Sequence, residues 1–259
     1  MRRTVRQVKA LVRLSFMELW RRNDVFALLM LALALMVPLS MSSPFGASGA
    51  SRYLDEVALL LIWGFSLFIS IGTGARLFPP EFESRTIYPL LAKPIPRWTL
   101  LLGKYLGAVA SSWSALLLFY ILFVCSVLLR GGGFSVELMQ GIALHMAFVA
   151  VAVAVSLLGS LLMTPSANLT LSGLALTAMF FFGRRLPDYA GEVSAPLSWA
   201  VNLVYAVGPH AEFFDMRQRL IHGWGGVDAR VLAAVLAYAV VYSAACLFLA
   251  HVILKRKHV

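Results

Sequence analysis

Long hydrophobic stretches alternate with short charged stretches along the chain, and this pattern predicts membrane-spanning helices. The windows without any Lys, Arg, Asp or Glu are 25–51, 57–75, 105–129, 138–183 and 231–254. A spanning helix needs roughly 20 apolar residues, so four of these windows suit one crossing each. The fifth window, 138–183, would form about 69 Å of helix at 1.5 Å per residue, which is long enough for two crossings.

A turn signal lies in the middle of that longest window. Residues 163–168 read Met-Thr-Pro-Ser-Ala-Asn, and Pro and Asn are typical turn residues. We therefore expect six crossings rather than five. Their approximate bounds are 25–42, 57–76, 104–129, 138–162, 168–183 and 231–254.

Composition and charge agree with this pattern and add an orientation. The chain has 13% charged and 60% hydrophobic residues, whereas a soluble domain carries about 25% charged residues. The edges that share one side in the six-crossing layout (1–24, 76–104 and 255–259) contain 15 Lys and Arg, and the opposite side contains 7. Because basic residues favour the cytosolic side, both termini are expected in the cytosol. The net charge of +10 is thus a topology signal, and nucleic-acid binding is the weaker interpretation.

The first 24 residues predict an amphipathic helix that lies in the membrane interface. Val8, Val12 and Phe16 recur at helical spacing, and Lys9 and Arg13 fall on another face. Such a helix places its apolar face in the bilayer and its basic face toward lipid phosphates. A surface anchor and a contact with a cytosolic partner are both open interpretations.

The segment 184–230, before the last crossing, predicts a partly inserted helical pair on the extracytoplasmic side. Its stretch 193–211 is apolar enough to enter the membrane but contains Pro196, Asn202 and Pro209. A seventh crossing there would place the basic C-terminal tail outside, against the positive-inside rule. Irregular backbone at membrane depth must be covered by protein or water, so we expect an interfacial or re-entrant arrangement.

The polar segment between the second and third crossings predicts a short helix, 81–91, followed by a turn. Glu81 lies in the first turn, where an acid suits the helix dipole, and it can pair with Arg85 four residues later. Pro89 should bend or end the helix near Tyr88. Tyr88 and Leu91 leave apolar groups for a partner's groove, which is a common docking mode of a helix. A solvated loop with a local salt bridge is the alternative.

This segment resembles the first cytosolic loop of ABC-2-type transporter permeases. The family pattern of an acidic residue, Arg-Thr, Leu-Leu, Lys-Pro, Arg-Trp and Gly-Lys is matched by Glu81 or Glu83, Arg85-Thr86, Leu90-Leu91, Lys93-Pro94, Arg97-Trp98 and Gly103-Lys104. Ser84-Arg85 stands where the family often has Gly. The amphipathic start, the six crossings and the partly inserted segment extend the resemblance over essentially the full length, as one transmembrane domain.

The resemblance implies a permease subunit of an ATP-driven exporter in a bacterial inner membrane. It implies a dimer with an identical copy or a paralogue, cytosolic ABC ATPase subunits as partners, and a coupling helix at 81–91. Glu81, Arg85, Tyr88 and Leu91 are the candidate partner-binding residues. A second, smaller cytosolic contact is implied at the turn 163–168, where a simple tight turn is the alternative.

The chain offers little chemistry of its own. Gly103-Lys104-Tyr105 lacks the Ser or Thr and the earlier Gly of a phosphate-binding loop, so ATP and magnesium are expected on a partner ATPase. We expect no catalytic residue, no bound cofactor and no metal, and we interpret His145 as a packing residue. No acid lies in the middle of a crossing, which favours an amphipathic or lipid-like substrate over ion coupling.

Two other functional classes remain open. A membrane-embedded lipid-modifying enzyme would need an acid-base cluster, and His210, Glu212 and Asp215 form the available one. A non-catalytic membrane scaffold is the other alternative.

Overall fold

The computed structural model describes residues 8–14, 16–17, 30–31, 48–83, 96–131 and 133–256, and the regular structure in this part is entirely helical. From residue 48 onward the helices are α1 (Ser48–Ala75), α2 (Pro79–Glu83), α3 (Arg97–Leu129), α4 (Val136–Ser160), α5 (Pro165–Phe182), α6 (Leu186–Glu192), α7 (Ala195–Val207), α8 (Arg217–His222) and α9 (Ala229–Arg256). Two short 3₁₀ turns, Gly183–Arg185 and Ala211–Phe214, flank α6 and α7.

Five stretches of the described chain are long and apolar enough to cross a membrane, so this is a multi-pass membrane protein. They are Arg52–Ala75, Arg97–Leu129, Val136–Ser160, Pro165–Glu192 and Ala229–Arg256. These stretches correspond to the second to sixth predicted crossings. The predicted first crossing, 25–42, lies outside the described residues except for 30–31, which are helical, so the count of six stays a prediction.

Two helices begin earlier than the hydrophobic windows predicted. Helix α3 begins at Arg97 rather than near residue 104. Its charged residues Arg97 and Lys104 are accommodated because their side chains donate to acceptors outside the helix, Leu254 O and Leu77 O. Helix α5 begins at Pro165 rather than at 168. Proline suits the first turn of a helix, where its missing N–H would have no intrahelical partner.

Helix α4 is the central element of the described bundle. It packs against α1, α3, α5 and α9. Phe148, Val149 and Leu157 point in different directions around it, and none of them is exposed. A helix that is hydrophobic on all sides is typical of a position enclosed by other helices.

Two contacts show that α1 and α3 are antiparallel. Asp55 near the start of α1 pairs with Arg130 after the end of α3, and Leu77 after α1 contacts Lys104 near the start of α3. We name the face of the helix bundle at which α1 and α9 end the lower face. The face at which they begin is the upper face. Among the described elements, the turn between α4 and α5 lies at the lower face, and 183–228 lies at the upper face.

The upper-face segment contains only short helices. Helix α7 has 13 residues and is therefore about 20 Å long, which is less than the roughly 30 Å of a bilayer core. None of its side chains is buried, and it packs mainly on α6. Helix α7 ends at Val207, so the stretch 193–211 contains no continuous spanning helix.

Small residues let α1, α4 and α5 approach closely. A Cβ atom added to Gly74 of α1 would lie 2.7 Å from Cβ of Ser156 in α4, so there is no room for one. The hydroxyl of Ser156 donates to Ile71 O at 2.8 Å, and Asn168 of α5 donates to Ser156 O at 2.7 Å. Small residues and interhelical hydrogen bonds are typical stabilising contacts between membrane helices.

Candidate functional site

The predicted coupling residues lie at the edge of what the structure describes. Helix α2 contains Glu81 and begins two residues earlier than predicted, at Pro79. Arg85, Tyr88 and Leu91 fall within 84–95, outside the described residues, and so does the side chain of Glu81. The roles of these four residues therefore stay predictions, and the described site consists of the two flanks that hold this segment.

Leu77 and Phe78, in the flank that precedes segment 84–95, belong to a hydrophobic cluster. We name this cluster the lower-face cluster. It comprises Leu77, Phe78, Leu101, Tyr105, Ala108, Val109, Val153, Ala154, Leu157, Leu161, Cys246, Leu247, Ala250 and Leu254. Phe78 has 0% exposure, and Phe82 of α2 packs on the same cluster with its ring centroid 6.2 Å from that of Phe78. The corner between α1 and α2 is therefore anchored in a core that α3, α4 and α9 share.

Lys104 lies in the flank that follows segment 84–95, and it contacts two residues of the flank that precedes the segment. Its ammonium donates a hydrogen bond to Leu77 O at 2.5 Å and lies 4.8 Å from the ring centroid of Phe78. With 6% of its surface exposed, Lys104 is buried in the protein, although a basic residue at the start of a crossing usually faces lipid headgroups. A carbonyl that follows the end of a helix needs a donor, and a cation over an aromatic ring adds attraction.

Arg97 fastens the same flank to the end of α9. Its guanidinium donates to Leu254 O at 2.7 Å and to Lys255 O at 3.2 Å. Basic groups stabilise the C-terminal end of a helix, where carbonyls lack intrahelical partners. Beside it, the ring of Trp98 meets His251 edge-on, with 5.3 Å between the centroids.

The N-terminal segment also contacts this site. Residues 8–14 and 16–17 are helical, with Val8 and Val12 partly buried and Lys9 and Arg13 exposed. A Cβ atom added to Gly103 would lie 2.6 Å from Cβ of Leu11, so this segment packs directly on the start of α3. The segment thus has a protein contact in addition to any contact with lipid.

His145 of α4 has hydrogen-bond partners on two neighbouring helices. Its Nε2 is 2.7 Å from the Ser66 hydroxyl of α1, and its Nδ1 is 3.0 Å from the Tyr120 hydroxyl of α3. The hydroxyl groups of Thr73 in α1 and Ser112 in α3 also form a hydrogen bond, with 3.1 Å between their oxygen atoms. His145 is therefore a packing residue that joins three helices, as the sequence indicated.

At the upper face, the possible acid-base cluster divides into two separate contacts. Asp215 holds Arg217 through contacts of 3.0 and 3.1 Å, and the Arg217 guanidinium also lies over the Phe180 ring. His210 Nδ1 is 3.3 Å from Glu212 Oε1, and Glu212 is buried. A carboxylate committed to an arginine is a poor general base, so Asp215 is not available for that role.

A large apolar groove of about 570 Å³ lies between α3, α4 and α9. Ala143, Ala147 and Ala150 of α4 form its floor. Trp113 and Tyr105, on its α3 side, donate to Met146 O and Ala150 O of α4. The groove therefore presents an almost entirely hydrocarbon surface.

Both flanks of segment 84–95 are tied to the same two helices. Phe78 and Phe82 precede this segment, Arg97 and Lys104 follow it, and both flanks contact α3 and α9. Packed cores resist continuous deformation, so both flanks are firmly joined to these helices.

Comparison with known families agrees with this membrane architecture. A family model described as ABC-2 family transporter protein matches residues 61–259, more than three quarters of the chain. The matched region begins within α1 and includes residues 81–91 and every helix that follows them. No curated protein sequence matches the chain.

Proposed function

Because the chain belongs to the ABC-2 family of transporter proteins, we propose that it is the permease subunit of an exporter driven by ATP hydrolysis on a separate subunit. The family membership supports a membrane component of a transporter rather than an enzyme. The observation that supports the coupling role is the anchoring of Phe78 and Lys104, which flank residues 81–91, in the lower-face cluster.

In the proposed cycle, ATP binding draws two cytosolic ATPase subunits together, and each pushes on a coupling segment. Lys104 and Phe78 transfer this displacement to α3 and to the core of α4 and α9. The push then favours one of two membrane conformations. A ligand shifts such an equilibrium only by its different affinity for the two states, so ATP binding must favour one of them.

The proposed contact with the ATPase rests on four residues of the coupling segment. Tyr88 and Leu91 supply the buried apolar anchors, and Glu81 and Arg85 form an orienting pair at the rim. A few buried anchors inside a polar rim are typical of protein interfaces. ATP and magnesium belong to the partner subunit in this proposal, and this chain binds neither.

The proposed assembly is a dimer of permease subunits, identical or paralogous, in a bacterial inner membrane. With 25–42 as the first of six crossings, the lower face is cytosolic and holds both termini. Residues 1–24 then lie along the cytosolic interface, and α6 and α7 form the partly inserted extracytoplasmic element. The excess of basic residues on the lower face supports this orientation.

The proposed substrate class is amphipathic or lipid-like. Among the described spans, acids occur only near helix ends, as with Asp55, Glu137 and Glu192. Ion-coupled transport usually needs ionisable groups inside the membrane. The groove between α3, α4 and α9 supports a hydrocarbon-bearing ligand in the same membrane domain.

The test is co-purification of the ATPase with wild-type and Leu91→Asp protein, together with a turnover assay. The substitution would bury an unpaired carboxylate in the proposed groove of the ATPase, at a cost of several kcal/mol. We expect the variant to insert normally and to lose the ATPase or its coupling to transport. Leu129→Asp is the matched control, because Leu129 is 88% exposed at the opposite face.

Unchanged association and coupling in Leu91→Asp would contradict the docking role and favour the scaffold or the lipid-modifying enzyme. The purified chain without its partner is expected to hydrolyse no ATP, which adds an independent check.

A further inference from the structure

The apolar groove between α3, α4 and α9 lies in the middle of the membrane domain and opens to the outside of the bundle. Along α9 its lining extends from Leu236 to Leu247, which is about 16 Å at 1.5 Å per residue. Leu106 on the α3 rim is 42% exposed, and Val240 on the α9 rim is 69% exposed. A molecule in the surrounding bilayer therefore has direct access to the groove from the side.

The aromatic side chains of this groove present their rings and turn their polar ends away. The indole N–H of Trp113 donates to Met146 O at 2.8 Å, and the Tyr105 hydroxyl donates to Ala150 O at 3.3 Å. Both acceptors are backbone atoms of α4, so each donor is already satisfied within the protein. Among the described residues, no Lys, Arg, His, Asp or Glu lines the groove. The groove thus suits the hydrocarbon part of a ligand and has nothing that would bind a charged headgroup.

The groove closes toward the lower face, where α3 and α9 meet. Tyr105, Val109 and Leu247 belong both to the groove lining and to the lower-face cluster. Below them, Arg97 joins the two helices through its bond to Leu254 O. The groove is therefore about half as long as the roughly 30 Å core of a bilayer. A spanning helix of a second copy would need a path through the whole core, whereas an alkyl chain can end inside it.

We propose that this groove binds the alkyl chain of the transported substrate, with the polar part of that molecule outside the groove. The inference rests on the proposed transport function and specifies the substrate as a molecule with a flexible hydrocarbon chain. Its link to transport is Tyr105, which lines the groove and directly follows Lys104, the residue that joins the two flanks of segment 84–95. A shift of α3 relative to α9 at the lower face would therefore change the width of the groove.

Binding is measured with a defined probe, a phosphatidylglycerol that carries a diazirine in one acyl chain. The full chain and its partner ATPase are reconstituted together in nanodiscs that contain this lipid. After irradiation, mass spectrometry maps the labelled residues. We expect labelling of the groove segments 105–113 and 143–150, because a chain held in the groove stays beside these residues.

Two filling variants test the groove from different helices. Ala147→Phe adds a ring on the floor, and Ala244→Phe adds one on the α9 side, where Ala244 is exposed. Displacing two methylene groups of the chain from an apolar site corresponds to about a tenfold loss of occupancy, so we expect about a tenfold loss of groove labelling. Ala175→Phe, on the exposed side of α5, is the matched control and should keep the labelling. Size-exclusion profiles report folding, and if Ala147→Phe misfolds, the exposed position 244 decides.

The nucleotide state separates a substrate from a resident lipid. Labelling is compared between the nucleotide-free assembly and the assembly trapped with ATP and vanadate. We expect different amounts of groove labelling in the two states, because a transported molecule must have different affinities for them. Leu91→Asp should abolish this difference and leave the nucleotide-free labelling unchanged, because its position lies outside the groove.

Groove labelling that both filling variants lose and that trapping changes would establish the substrate site. The same labelling with no dependence on nucleotide, in an assembly that retains the ATPase, would identify a resident lipid and overturn the substrate role. Labelling that survives both filling variants would overturn the groove as a binding site, and a crosslink between the grooves of two copies would assign it to the dimer interface instead. Failure of the wild-type chain to retain the ATPase would contradict the proposed function, whereas the nucleotide-free labelling would still report the alkyl site.

Discussion

The ammonium of Lys104 donates a hydrogen bond to the carbonyl of Leu77 at 2.5 Å, which joins the start of α3 to the corner after α1. The two residues lie on either side of the predicted coupling segment 81–91, Leu77 before it and Lys104 in the helix that follows it. The bond therefore closes this segment at its base. In the proposed coupling, a force on the segment would therefore act on two helices at once.

Replacing Lys104 by Met should destabilise this base while keeping most of the apolar stem of the side chain. The buried Leu77 carbonyl would lose a charged donor, which costs about 1–3 kcal/mol. We expect a lower apparent Tm in detergent and weaker coupling of ATP hydrolysis to transport. Lys255→Met is the control, because Lys255 is exposed at the end of α9. Equal Tm values for the two variants would mean that the Lys104 bond contributes nothing.

Replacing Gly74 by Ala should separate α1 from α4. The new methyl group would lie 2.7 Å from Cβ of Ser156, and overpacking of this kind typically costs about 1–3 kcal/mol. Gly64→Ala is a matched control in the same helix, since nothing lies within 4 Å of its Cβ position. Alanine is a better helix former than glycine by about 1 kcal/mol, so the control should be neutral or stabilised. Apparent Tm values of both variants in one detergent measure the difference, and a stabilised Gly74→Ala would refute the close contact.

Cysteine labelling should place the two faces on opposite sides of the membrane. In a background without Cys125 and Cys246, a cysteine at position 257 should resist an impermeant reagent in intact cells. A cysteine in place of Trp224, which is exposed in the upper-face segment, should react. We expect this result because basic residues favour the cytosolic side and are in excess at the lower-face edges. Labelling at 257 from outside would reverse the proposed orientation.

The sequence by itself determined the membrane class and most of the crossings. Charge-free windows such as 138–183 are long enough that only spanning helices satisfy their backbone hydrogen bonds in lipid. The turn near Pro165 was predictable because proline and asparagine interrupt an otherwise uniform apolar pattern. The packing role of His145 was also predictable, because a lone histidine in an apolar helix needs polar partners nearby.

Tertiary structure decided which polar residues are buried and what they contact. Lys104 and Arg97 look like interfacial anchors in the sequence, because positive charge next to a hydrophobic window usually faces lipid headgroups. Their acceptors, Leu77 O and Leu254 O, are backbone atoms 27 and 157 residues away, and no local pattern specifies such a pairing. The burial of Glu212 against Gly183 depends in the same way on two distant segments meeting. Local periodicity reports which face of a helix is apolar, whereas the partner of that face is set only when the helices pack.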